Sequence, residues 1–111
     1  MAVTVKLIIP SKIAESTQVT QYTAVGVTAI IDKFTATNYS TVAANISVNL
    51  VTAADTAGNQ NLIVKTKTLQ VAETYTFPEL VGHSLAPGGF ISTIAGTATS
   101  ITIRSSGREV T

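Results

Sequence analysis

Residues 41–51 alternate apolar and polar side chains along their whole length. Even positions from Val42 to Leu50 are apolar, and odd positions from Ala43 to Asn49 carry alanine, asparagine or serine. Because successive side chains of a strand point to opposite faces, this pattern predicts a half-buried β-strand with an uncharged outer face. A helix would place apolar residues every three to four positions. The side predicted to lie in the core comprises Val42, Ala44, Ile46, Val48 and Leu50.

Runs of this kind recur along the chain and predict about eight strands. They lie at residues 3–9, 17–23, 28–37, 41–51, 61–71, 74–77, 90–95 and 97–104. The first run is expected to end at Pro10, since proline cannot donate to a strand ladder. We interpret residues 1–10 as a strand or an extended arm, and residues 105–111 as a polar tail.

Two runs make local predictions. Strict alternation would place Asp32 on one face with Ile30 and Phe34, so we expect a β-bulge near Ile31 and Asp32 that separates them. In the run at residues 61–71, Lys65 and Lys67 are two positions apart and are expected to share an outward face. Outward lysines are a common means of keeping an edge strand from pairing with other chains.

These elements define the fold class. Between the runs lie polar or Pro- and Gly-containing connections, chiefly residues 52–60 and 79–89, and no helix of core length is predicted. The nineteen Thr, twelve Val and eleven Ile residues are β-branched and favour strands. The sequence therefore predicts an all-β chain, with residues 1–111 forming a single-domain β-sandwich or small barrel in a jelly-roll-like or Greek-key arrangement.

The charge of the chain excludes several partners. Charged residues make up only 12% of the sequence and the net charge is +1. No basic patch is present that would neutralise a run of phosphates, so nucleic acid is not an expected partner. No stretch approaches the ~20 apolar residues needed to cross a bilayer, and the start has no pattern of a signal peptide. We expect no membrane association and no classical export.

Candidate chemistry is sparse. His83 is the only histidine and lies beside Ser84 in a loop, where neighbours in sequence do not form a nucleophile–base pair. The chain has no cysteine, so a transition-metal site would need carboxylates and carbonyls alone. Asp55 and Asn59 are expected to bond their own turn rather than calcium. The six acids are scattered, which leaves a pair for sugar hydrolysis neither supported nor excluded. We predict no enzymatic activity, metal site or cofactor.

The uncharged outer face offers a different function. An amide or hydroxyl can find a partner when a surface is covered, whereas an unpaired charge is costly to bury. A face of this composition, including Asn45 and Asn49, suits contact with a neighbouring subunit. Tyr22 and Tyr39 offer an alternative, since sugar-binding modules of this fold often stack rings on tyrosine or tryptophan, but packing in the core or at its rim is the favoured interpretation of both rings.

Three segments resemble a known family: residues 73–83 (E-T-Y-T-F-P-E-L-V-G-H), 85–92 (L-A-P-G-G-F-I-S) and 105–111 (S-S-G-R-E-V-T). They are similar to small structural proteins of tailed phages, in particular the capsid decoration, cement or staple proteins of short-tailed double-stranded DNA bacteriophages. The start, through residues 8–10, and residues 31–33 look similar too.

The resemblance implies a non-enzymatic virion protein on the capsid exterior, made in the host cytoplasm. It would clamp neighbouring subunits of the major capsid protein and so stabilise the shell, often as a dimer or trimer. The alternative is a carbohydrate-binding module or a tail or fibre accessory of a phage particle. No residue-level motif carries over, so the candidate interface residues come from charge and position alone: Lys6, Lys12, Asn45, Asn49, Lys65, Lys67, Arg104 and Arg108.

Overall fold

The computed structural model describes residues 2–111. This part of the chain forms nine strands in two packed antiparallel sheets, with one 3₁₀ turn at Asn59–Asn61. The strands are β1 (Val3–Ile13), β2 (Val19–Thr23), β3 (Thr28–Asn38), β4 (Ala44–Val51), β5 (Leu62–Leu69), β6 (Thr74–Tyr75), β7 (Ser84–Leu85), β8 (Phe90–Ala95) and β9 (Ile101–Val110). The predicted all-β sandwich is confirmed.

The strand order is that of a jelly roll. The first sheet, here the β1 sheet, runs β1–β9–β3, with β6 and β7 both pairing with the free side of β3. The second, here the β2 sheet, runs β2–β8–β4–β5. If β6 and β7 count as one interrupted strand, the sandwich has eight strands. Every connection then joins a strand of one sheet to a strand of the other, except the connection from β4 to β5, which lie in the same sheet.

The core lies between the sheets and includes one side of β4. Ala44, Ile46 and Val48 are buried as predicted, and β4 pairs with β8 without a register shift. Leu50 is half-buried against the same cluster. Val42 was predicted in the core but is 60% exposed, because the strand begins only at Ala44, after a turn.

The predicted bulge in β3 is confirmed. The register of β3 against β9 shifts between Ile31 and Lys33. Ile31 and Phe34 are both fully buried, and Asp32 is exposed. The Phe34 ring meets the Phe77 ring edge to face, with the ring centroids 5.0 Å apart. The extra residue thus keeps the carboxylate out of the core.

The end of the first strand and the C-terminal segment differ from the prediction. Pro10 does not end the first strand: β1 continues to Ile13, with register shifts between Lys6 and Ile9 and between Ile9 and Lys12. Because β1 is an edge strand, a residue without an N–H is tolerated there. Residues 3–10 form a strand, which is one of the two alternatives predicted for this segment, whereas residues 105–110 are not a free tail. Instead β9 reaches Val110 as an interior strand that is paired with β1 on one side and β3 on the other.

Lys65 and Lys67 do not share a face, contrary to prediction. Thr66 lies between them in the left-handed region (φ 54°) and forms a bulge, and its N–H donates to Ser47 Oγ at 2.8 Å. Lys65 remains exposed, whereas Lys67 pairs opposite the buried Ile46 and turns inward at the edge of the sheet. An inward lysine and a bulge both discourage another strand from pairing with β5.

Candidate interaction surfaces

The eight candidate interface residues separate into two groups. One group lies on β1 and β9: Lys6, Lys12, Arg104 and Arg108. The other lies on β4 and β5: Asn45, Asn49, Lys65 and Lys67. Strand β1 is an edge of one sheet and faces β2 across the sandwich, whereas β5 is an edge of the other sheet and faces β6. The two groups therefore occupy opposite sides of the sandwich. The sequence list therefore does not form one site.

Two of the four cations on the β1 side are already paired. Arg108 makes a two-pronged hydrogen bond to the Asp32 carboxylate at 3.0 and 2.9 Å, which lowers the pKa of Asp32 and raises that of Arg108. Lys12 donates to Glu15 at 2.8 Å, and this bond is the main cause of the lowered Glu15 pKa. These pairs are exposed and contribute little to stability.

Two cations on this side have no ion pair within residues 2–111. Arg104 Nη1 donates to the Ser11 hydroxyl at 3.1 Å. Lys6 is exposed and has no salt bridge to any described residue. Lys6 is thus the only charged residue of β1 that no carboxylate neutralises.

The same strand carries an apolar feature that the sequence prediction missed. Val3, Val5 and Leu7, here called the β1 strip, are 56%, 86% and 40% exposed. They alternate with Thr4 and Lys6 and so share one face of an edge strand. The alternation was visible in the sequence, but alternation alone does not show whether the apolar face is buried or exposed. Only the strand order shows that this strand lies at an edge, where its first residues extend beyond the core.

On the opposite side, Asn49 is not available to a partner. It points outward from β4 as predicted, but it is only 3% exposed because the loop before β5 folds over it. Its Nδ2 donates to Gly58 O at 3.0 Å and to Asn61 Oδ1 at 2.7 Å. Gln18 Nε2 approaches its Oδ1 at 3.4 Å. The expectation of an open Asn49 is wrong, since its amide holds the loop.

Asn45 and Lys65 remain accessible on this face. Asn45 is half-buried, and Lys65 is exposed. A groove of about 210 Å³ lies beside Lys65, and its lining includes the amide and hydroxyl side chains of Gln18, Ser47 and Asn59. Lys67 is engaged elsewhere, since its ammonium lies 4.4 Å from the centre of the Tyr75 ring. The open part of this surface is therefore polar and carries one cation.

The loop residues considered for catalysis or metal binding are dispersed. His83 is exposed at the rim of a cavity of about 250 Å³, whose walls include Leu50, Ile63 and Leu85. Asp55 accepts hydrogen bonds from the Thr56 N–H at 2.8 Å and from neighbouring loop amides, and these bonds lower its pKa. Within residues 2–111 no three metal-ligating side chains cluster. Asp55 thus bonds its own turn, as predicted.

The two candidate stacking tyrosines have different settings. Tyr39 is 49% exposed. Tyr22 is half-buried against the core, and its hydroxyl donates to Glu109 Oε2 at 2.5 Å. Burial raises the pKa of Tyr22 far above its usual range, and the bond to Glu109 adds to this shift. A ring held in this way does not present a free face to a sugar, so only Tyr39 remains for stacking.

The Tyr22–Glu109 bond predicts a loss of stability in alkali. The pKa of Tyr22 is higher in the folded protein than in the unfolded chain, where it is about 10. Its contribution to the free energy of unfolding is therefore complete below about pH 10 and falls as the pH rises above that value. We expect Tyr22→Phe to cost about 1 kcal/mol at neutral pH and to reduce the alkaline slope. Denaturant unfolding at about pH 8 and about pH 11 measures both effects.

Tyr39→Phe is the matched control. Some slope is expected to remain in Tyr22→Phe, because a hydrogen bond to Glu79 also raises the pKa of Tyr75. An alkaline slope that is the same in Tyr22→Phe and Tyr39→Phe would contradict the assignment.

None of the described residues belongs to a helix that could span a membrane. Comparisons with protein-family models, with curated proteins and with solved structures find no match to this chain.

Proposed function

We propose that this protein is a non-enzymatic structural component of a phage virion that binds the outside of the capsid and stabilises it. The observation that carries the proposal is the exposed β1 strip, Val3, Val5 and Leu7, on an edge strand. An exposed apolar edge strand is a liability in a free protein, and its retention is consistent with a surface that a partner covers. The sequence resemblance supplies the partner class, the major capsid protein.

Clamping requires contacts on more than one side of the molecule. The β1 strip lies on one side of the sandwich, and the polar surface around Asn45 and Lys65 lies on the other. The protein extends 46 Å along its longest axis. Two separate contact surfaces would allow one copy to touch two neighbouring capsid subunits. A dimer or trimer on the shell would multiply these contacts without changing either surface.

A second candidate function rests on the groove beside Ser47 and Lys65. Its amide and hydroxyl side chains are suited to hydrogen bonding with a sugar, and the jelly roll also occurs in lectins. This alternative makes the protein a carbohydrate-binding module or a tail or fibre accessory. A glycan array with the wild type, Ser47→Val and Tyr39→Ala tests it. Hits that disappear in the variants favour this function, and an array without hits rejects it.

Binding to purified shells tests the main proposal. We expect the protein to bind expanded shells of its phage and not the unexpanded precursors, since packaging rearranges the capsid surface. Asn45→Lys, which adds a charge to the uncharged face, should weaken binding by about tenfold. Val71→Thr, at an exposed turn position, is the control. Cosedimentation with both kinds of shell gives the result, and wild-type protein that binds neither would contradict the proposal.

A further inference from the structure

The backbone of β1 has a free hydrogen-bonding edge at the β1 strip. The Thr111 N–H donates to Ala2 O at 3.0 Å, and the ladder continues in the same register through Val3 and Val110. In an antiparallel pair, opposed residues alternate between bonded and non-bonded pairs. Ala2, Thr4 and Lys6 therefore direct their N–H and C=O groups toward β9.

Val3 and Val5 consequently direct their backbone groups away from the sheet. Within the described residues 2–111, β1 pairs only with β9, so no strand lies on the side toward which these groups point. Proline, which would interrupt such an edge, occurs in β1 only at Pro10, beyond the strip. The edge from Val3 to Leu7 is thus a template for one more strand.

The side chains along the free edge of β1 indicate which kind of strand would fit there. Those of the β1 strip are apolar and exposed on one face, and Val5 is 86% exposed. On the other face the strip is flanked by Thr4 and by Lys6, which has no salt bridge in the described chain. Residues 2–13 contain no acid. A complementary strand would carry apolar residues opposite the strip and a carboxylate opposite Lys6.

We propose that the free edge of β1 receives an antiparallel strand from a partner polypeptide in which apolar residues alternate with a carboxylate that pairs with Lys6. A second copy of β1 fits less well, because self-pairing would bring two lysines to the seam and no carboxylate. The inference rests on the proposed function only for the identity of the partner, a capsid subunit.

A designed peptide tests the edge without any capsid. The probes are the capped peptides Val-Glu-Val-Thr-Val and Val-Lys-Val-Thr-Val, which place Glu or Lys opposite Lys6 in the antiparallel register. With the Glu peptide at millimolar concentration, amide exchange at Val3 and Val5 should slow by about tenfold, while Thr4 and Lys6, already bonded to β9, should not change. The Lys peptide should bind about fivefold more weakly.

Variants separate the edge from the fold. Val5→Pro removes one free donor at a position where an edge strand tolerates proline, and should weaken peptide binding by about tenfold. Val5→Thr keeps the N–H and should bind better than Val5→Pro. Val71→Pro is the matched control: Val71 is exposed and precedes Ala72 (φ 66°) in a tight turn, where proline is favoured.

Each remaining outcome decides a separate question. Unchanged exchange at Val3 and Val5, or equal binding of both peptides, would overturn the inference. A peptide-free dimer that Val5→Pro dissociates would also overturn it and make a second copy the occupant. Expanded shells that bind wild type and Val5→Pro equally would reject the edge and leave the proposed function standing. A protein that binds the Glu peptide but not the shells would support the edge and reject the proposed function.

Discussion

Replacing Gly107 with alanine should lower the free energy of unfolding by about 3 kcal/mol. Gly107 lies in β9, between β1 and β3, opposite the bulge at Ile31 and Asp32. A Cβ at this position would lie 2.0 Å from Ile30 O and 3.3 Å from Asp32 N. Both are backbone atoms of an interior strand, so no side-chain rotation relieves the clash. Urea or guanidinium unfolding of the variant measures the loss.

Gly26→Ala is the control for this prediction. Gly26 lies in the exposed turn between β2 and β3 with a φ of 68°, and a Cβ there meets nothing within 4 Å. Alanine at Gly26 should therefore cost only about 1 kcal/mol, from backbone strain alone. A Gly107→Ala protein as stable as the wild type would contradict the placement of residues 105–110 in an interior strand.

Replacing Asn38 with alanine should cost about 3 kcal/mol, because one buried amide makes four hydrogen bonds. Asn38 is fully buried at the end of β3. Its Nδ2 donates to Val42 O at 2.8 Å and to Leu69 O at 3.1 Å. Its Oδ1 accepts from the Ser40 N–H at 2.9 Å and from the Ser40 hydroxyl at 2.7 Å. Alanine would leave several of these groups without a partner.

Asn45→Ala is the matched comparison, since Asn45 is a half-buried asparagine on the outer face of β4. Its loss should change the free energy of unfolding by only about 0.5 kcal/mol. Thermal or denaturant unfolding of both variants gives the difference. Equal costs for the two asparagines would show that the Asn38 bonds do not hold the turn to the end of the sandwich.

Features that depend on local periodicity were predictable from the sequence. The alternation around Ile46 and Val48 identified a core strand, and the conflict at Asp32 identified a bulge. Features that depend on the neighbouring strand were not. Residues 105–111 contain serine, glycine and charged residues that are typical of a tail, yet Ser105 is 1% exposed and its hydroxyl donates to Lys33 O at 2.8 Å. The sequence of residues 105–111 does not show that neighbouring strands pair with this segment on both sides.

The interaction surfaces were predictable only in part, for the same reason. The uncharged face of β4 was identified, but a loop covers Asn49 and leaves Asn45 open. The bulge at Thr66 turns Lys67 inward, where alternation had placed it beside Lys65. The exposure of Val5 follows from the position of β1 at an edge, and strand order cannot be read from one sequence.

The copy number of this protein in purified virions tests the capsid-stabilising role most directly. Quantitative mass spectrometry of virions, with the major capsid protein as the internal reference, measures it without any assumption about the binding surface. A capsid-stabilising role predicts a copy number of the same order as that of the major capsid protein. Virions that lack the protein, or that carry only a handful of copies, would contradict that role.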